Sequence, residues 1–180
     1  EQTTSASFPL LYLPDLANRT FDKSMNKNAS REYVMAGVWR ILSMQQPNGG
    51  FNYWPSSNVI SPWSSSYATH CLVEAKKAGY EVPKEPLQRA LKSLRDGLDA
   101  NSNENENTYG NIYDLRAYAC YVLAIAGEPE HSWQARMLEM KDKLGAELAT
   151  AVGANRPAPA SADILNALAA LGYSDREAAA

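Results

Sequence analysis

Long apolar runs are missing from this 180-residue chain. No stretch approaches the ~20 residues of a membrane-spanning helix, so no membrane contact is expected of it. An excess of either charge is missing too. Lys and Arg number 17 against 20 Asp and Glu, a net charge of -3, and no nucleic acid or anionic surface is expected as a partner. Cysteine and histidine occur twice each. Neither Cys71 nor Cys120 belongs to a CxxC or a Cys/His cluster, which leaves no zinc or dithiol motif. His70 and Cys71 are adjacent, hence ~100° apart on a helix and poorly set to share a metal. No metal and no cofactor is expected. There is no initiator Met and no charged-then-apolar leader before EQTTSASFPLLYLPDL. The expectation is that Glu1 and Gln2 end a motif begun upstream, and that any signal peptide or anchor of a parent lies outside this chain.

What is present is ordinary for a folded domain: 45% hydrophobic and 21% charged residues, enough for one core with a small appendage. β-signals are scarce and helical periodicity recurs. The apolar series are Val34, Val38, Ile41, Leu42; Ala68, Cys71, Leu72, Ala75; and Leu87, Leu91, Leu94, Leu98. Next come Leu115, Tyr118, Ala119, Val122, Ala126, then Trp133, Met137, Met140, Leu144, and finally Leu165, Leu168, Leu171. Each puts one stripe on one helix face. Ser61-Pro62 has the form of an N-cap followed by proline at the first helical position. Ser174 to Glu177 has capping-box form. Cys71 and Cys120 fall inside these stripes and read as small core residues.

The organisation repeats. AKKAGYEVPKEP, AIAGEPEHSW and AALGYSDREA each end a helix at a glycine, Gly79, Gly127 and Gly172, spaced by 48 and 45 residues. Glycine just past a helix end supplies the left-handed turn that closes it. Two helices per period make a helical-hairpin array, either an open solenoid or a closed alpha/alpha toroid. Gln45 to Trp63, QQPNGGFNYWPSSNVISPW, breaks the pattern with a long aromatic loop. It reads as a packed lid or as a binding surface built on Tyr53, Trp54 and Trp63. Asp99 to Asn111 is the least apolar stretch and reads as solvated. From Gly145 the chain turns Ala- and Pro-rich, like a linker.

EQ followed by a helix, then QQPNGGFNYWP, SPWSSSYATHCLVEAKKAGYEVP and YDLRAYACYVLAIAGEP, resembles the thioester-containing domain of bacterial alpha-2-macroglobulins. The likeness covers about residues 1–140, in matching order. It is most specific from Gly49 to Pro83. The resemblance implies an all-α, alpha/alpha toroid fold, incomplete in this chain, with domains at 1–144 and 145–180. It implies a fragment of a broad-spectrum protease inhibitor, not an enzyme. In that family a Cys-x-Glu-Gln motif makes an internal thioester, which an amine of the attacking protease opens. Gln2 would be the acyl donor and Glu1 its motif neighbour. The cysteine would stand two residues before Glu1, so the chain as it stands cannot form the bond. The partners implied are target proteases and the other domains of the parent, in a periplasmic protein anchored to the inner membrane. In complement relatives a histidine takes the acyl group first; the matching stretch, Asp99 to Asn111, has none. Direct transfer to amines is therefore implied, with His70 and His131 as ordinary helix residues.

Lys143 to Ala180 resembles the linker and start of the third domain of the Holliday-junction protein RuvA. The competing reading is a further hairpin of the toroid, since Gly172 keeps the register. Rival functions are a toroid glycosidase, with Asp114 and Glu128 as its two carboxylates, and a non-catalytic binding module using the aromatic loop at 51–63. A terpenoid cyclase would need a DxDD-type motif, which is not present.

Overall fold

The structure, a computed structural model, describes residues 2–12, 27–54, 57, 59–99 and 112–139. The chain divides into two compact units, Glu1–Leu94 and Arg95–Ala180. The fold is all-α. Among the described residues, β-structure is limited to two isolated bridges, Gln45 with Phe51 and Asn52 with Ile60. The elements are α1 (Gln2–Ser7), a 3-10 turn (Pro9–Leu11), α2 (Lys27–Leu42), α3 (Pro62–Lys77), α4 (Lys84–Leu98) and α5 (Ile112–Ile125). A further helix, α6, runs over 131–139, the last among the described residues.

The sequence stripes become the core. Val34, Val38 and Ile41 are buried on α2, and Ala68, Cys71, Leu72 and Ala75 on α3. Leu87, Leu91, Leu94 and Leu98 are buried on α4, and Leu115, Ala119 and Val122 on α5. Leu42, Tyr118, Ala126 and Trp133 are only partly covered. α5 is buried nearly all round from Leu115 to Ile125, as expected of a helix apolar on every side. Met140, Leu144, Gly172, the Leu165–Leu171 stripe, the Ser174–Glu177 capping box and all of 145–180 lie outside the described residues. So does the Asp99–Asn111 stretch apart from Asp99, which is exposed.

Helix ends are set by local chemistry. Ser61 is extended (φ -98, ψ 118), and its hydroxyl accepts from the Ser64 N–H at 3.2 Å. Pro62 follows at the position where no N–H is needed. At the other end of α3, Gly79 sits at φ +82; its N–H bonds the Lys76 carbonyl, and the Tyr80 N–H bonds that of Ala75. α5 ends identically. Gly127 sits at φ +83, with Gly127 N–H on Ala124 and Glu128 N–H on Leu123. Both are Schellman closures.

In the second unit, Arg95 donates to Glu128 Oε2 at 2.9 Å and to Glu130 Oε1. The guanidinium groups of Arg116 and Arg136 lie over the Trp133 ring, 4.9 and 4.8 Å from its centroid. The Trp133 indole N–H donates to Asp99 Oδ1 at 3.0 Å.

Candidate functional site: the seat of the N-terminal helix

α1 is too short to hold itself as a helix; six residues lie below the length at which isolated helices persist. It is held by what it packs on. Thr4 and Ser7 are buried, and Gln2, at its head, is exposed. Gly37 makes the closest approach possible. A Cβ there would stand 1.9 Å from Ser7 Oγ and 2.6 Å from Ser7 Cβ, so α1 lies against α2 only because residue 37 has no side chain.

The second hold is aromatic. Phe8 meets Tyr67 edge-on at 5.8 Å and His70 at 4.8 Å, both on α3, and Tyr12 at 6.0 Å. Trp63 stacks on Tyr67 at 6.3 Å, which extends the ring cluster to the start of α3. The third hold is polar. Tyr12 Oη donates to Glu74 Oε2 at 3.1 Å, and Lys77 pairs with the other oxygen of the same carboxylate at 3.1 Å.

Burial lowers the His70 pKa to about 4; Glu74 opposes the shift and Lys77 adds to it. The imidazole is therefore neutral at physiological pH. Burial pushes the Cys71 thiol up to about 12, and burial with the nearby Glu130 carboxylate does the same to Cys120. Neither is a thiolate near pH 7, so neither offers a reactive sulfur to Gln2.

The aromatic loop divides in two. Its first half is a staple. Gln45 Nε2 donates to the carbonyls of Gly49 (3.1 Å) and Pro86 (2.9 Å), and its Oε1 accepts from Arg89 Nη2 at 3.2 Å. Gly49 (φ +92) lies so close to α4 that a Cβ would stand 2.0 Å from the Arg89 carbonyl oxygen. Phe51 is buried, and its N–H donates to Ser65 Oγ at 2.9 Å. Beyond it, two described residues face outward: Trp54 is 66% exposed and Val59 75%. Tyr53 and Trp63 are half-buried. Of the three proposed surface aromatics, only Trp54 stands fully clear, and only Trp63 belongs to the ring cluster that reaches α1.

The other residues named from sequence are scattered. Glu1 lies outside the described residues, as does the Asp114 side chain. Glu128 is held by Arg95. His131 is exposed at the start of α6, with Nδ1 3.1 Å from Gln134 Oε1. Sequence reasoning missed the seat itself. Gly37, a glycine inside a helical stripe, was the one available signal, because such a residue marks close backbone approach or a break.

No family model matches the chain. Individual proteins do. Alpha-2-macroglobulin of Escherichia coli K12 is 31% identical over 129 residues, 69% of this chain. The alpha-2-macroglobulin homolog of Yersinia pestis is 34% identical over 130 residues, 71% of the chain. Bacterial alpha-2-macroglobulins are its homologues. The chain spans only 8% and 6% of the length of these two relatives. Salmonella alpha-2-macroglobulin reacted with methylamine superposes with a TM-score of 0.68 at 25% identity, over 98% of this chain and 11% of that one. Trypsin-activated alpha-2-macroglobulin from E. coli, at 23% identity, shares the fold, with a TM-score of 0.69 over 99% of this chain and 12% of that one. The tail has other relatives. The Holliday junction branch migration complex subunit RuvA of Burkholderia thailandensis is 59% identical over 44 residues, 24% of this chain and 23% of that protein.

Proposed function

We propose that residues 1–144 are the acyl-donor part of an alpha-2-macroglobulin-type protease trap, with Gln2 as the donor. The observation that carries this is the exposed Gln2 at the head of a short helix held in place by α2 and α3, in a chain homologous to bacterial alpha-2-macroglobulins. In the reading, a cysteine two residues before Glu1 attacks the Gln2 side-chain carbonyl. A C–S bond forms, the C–N bond breaks and ammonia leaves. A protease amine then attacks the same carbon, and the thiolate departs. Thiolate leaves more readily than ammonia, so the thioester is the better acyl donor, and it is spent once. A relative that reacts with methylamine and one activated by trypsin support amines as nucleophiles and proteases as targets. The 48-residue hairpin rhythm, with identical closures at Gly79 and Gly127, fits a helical-hairpin array, and the toroid form of that array is taken from the family resemblance. A periplasmic, membrane-anchored parent, and residues 145–180 as a separate RuvA-like linker and hairpin, complete the reading.

The test is a chain extended upstream with its cysteine, treated with methylamine and followed by intact mass and peptide mapping. Methylamine on Gln2 with one thiol released is expected. A Gln2 that stays unmodified while the thiol is already free overturns the reading. A second reading, a binding surface, rests on Trp54 and Val59 projecting from a loop whose base is pinned. It would show as retained partner binding when Gln2 is replaced by Asn and loss when Trp54 is replaced by Ala.

A further inference from the structure

The chain contains a single Asn-Gly pair, Asn48-Gly49. Asparagine before glycine is where a backbone nitrogen most readily attacks a side-chain amide, because glycine leaves the approach unhindered. We infer that Asn48 is a deamidation site that the folded loop guards and that local opening releases, with a product that stops the loop from closing again. This chemistry is independent of Gln2.

The step balances with solvent alone. The Gly49 nitrogen loses its proton to base and attacks Asn48 Cγ. The N–Cγ bond forms, the Cγ–Nδ2 bond breaks, and ammonia leaves. The product is a five-membered succinimide. Water then opens the ring at either carbonyl. One opening gives an aspartate. The other gives an isoaspartate, whose main chain runs through Cβ and Cγ and is one carbon longer. Either adds one negative charge.

Half of the site is prepared for this step and half is withheld. Asn48 is exposed, so water and base reach it. Its Oδ1 accepts from the Gly50 N–H at 3.1 Å, which draws electrons from Cγ and steadies the charge that attack builds on that oxygen. The fold holds back the nucleophile. The Gly49 N–H donates to the Gln46 carbonyl at 2.8 Å, and the Gln46 N–H donates to the Gly50 carbonyl at 2.8 Å, closing a tight turn. The Gly49 carbonyl accepts from Gln45 Nε2, which also reaches Pro86. Gly49 itself is buried against the backbone of Arg89. Ring closure needs the Gly49 nitrogen to leave Gln46 and swing toward Cγ, and each of these contacts opposes that swing. Local opening of the loop removes them together.

The longer product no longer fits. A single added carbon on Gly49 would stand 2.0 Å from the Arg89 carbonyl oxygen, and one on Gly50 2.8 Å from Ile60 Cγ2. An extra carbon in the main chain between Asn48 and Gly49 displaces both glycines from these berths. Aspartate at 48 leaves the backbone length unchanged and keeps an oxygen for the Gly50 N–H.

The full chain is incubated at pH 8, sampled over time and mapped by tryptic digestion and tandem mass spectrometry, with the isoaspartyl peptide separated by chromatography. Conversion at Asn48 is expected to be roughly tenfold or more slower in the native chain than in guanidinium chloride, since only the opened fraction reacts. Gln45→Ala should speed conversion about fivefold or more in the folded chain, because it removes the hydrogen bonds that hold Gly49 and Pro86. Equal rates in native and unfolded chains, or an unchanged rate in Gln45→Ala, overturn the guard. Should Gln45→Ala not fold, the native chain in guanidinium below its unfolding transition decides. A rate that rises there with denaturant supports the guard, and a flat one overturns it. For the product, chain converted while unfolded is refolded and read by hydrogen exchange at 49–51. The isoaspartyl form should lose protection there, and Asn48→Asp should keep it. Native protection in the isoaspartyl form, or equal loss in both, overturns the role of the added carbon.

Discussion

At the residue scale, two glycines act by what they omit. A Cβ on Gly49 would stand 2.0 Å from the Arg89 carbonyl, at φ +92. Gly49→Ala is expected to destabilise the first unit by roughly 3 kcal/mol, from left-handed strain added to a backbone clash; urea unfolding measures it. Gly37→Ala should instead act locally. It should deprotect residues 2–12 to hydrogen exchange at neutral pH, because Ser7 has to move away. The two thiols give a third test. With pKa values of about 12, the native protein at pH 8 should react with Ellman's reagent at least a hundredfold more slowly than a free cysteine, recovering the ordinary rate in denaturant. Burial of both cysteines was legible from their place in apolar stripes. The seat of α1 was not. Ser64, Ser65, Ser66 and Thr69 are all buried, yet a serine run carries no apolar signal. Their burial depends on partners distant in sequence, such as the Phe51 backbone on Ser65.

At the element scale, caps and stripes were readable because they are local. Ser61, Pro62 and Gly79 bound α3 as their types require. Ser61→Ala should cost about 1 kcal/mol in urea unfolding. The loop from Gln45 to Trp63 was legible only as an irregular aromatic segment. Its division into a buried staple and an exposed tip is tertiary, since Gln45 reaches Pro86 and Arg89 on an element about 40 positions later. In the second unit, Arg95 is over a third exposed. Its pairs with Glu128 and Glu130 should therefore contribute well under 1 kcal/mol after solvent screening, and less in high salt. Arg95→Ala is expected to be nearly silent in a thermal melt at 1 M salt and mildly destabilising at low salt.

At the scale of the whole molecule, the 48-residue rhythm foretold a pair of equivalent turns, and Gly79 and Gly127 carry them with the same two hydrogen bonds. All-α architecture was legible for the same reason: every apolar series had the helical period and none alternated. The closing geometry was not, because stripes say which face is buried and not which helix buries it. Relatives fall into two sets, alpha-2-macroglobulins over most of the chain and RuvA over the tail, and the joint near residue 144 proposed above can be tested directly. Truncation after Leu144 is expected to leave exchange protection in α3 and thiol burial at Cys71 unchanged. Loss of either would place the tail in the same fold.

The two guanidinium groups over Trp133 give the protein an optical signature. Trp133 is the sole indole of the second unit; Trp39, Trp54 and Trp63 belong to the first. Cations lying against its ring repel caesium and draw iodide, so ionic quenchers of opposite sign should report on different halves of the chain. Fluorescence that yields more readily to iodide than to caesium would come from Trp133, loss of that bias in Arg116→Gln or Arg136→Gln would secure the assignment, and loss of the bias in the native chain under denaturant would then follow the second unit's unfolding by light alone.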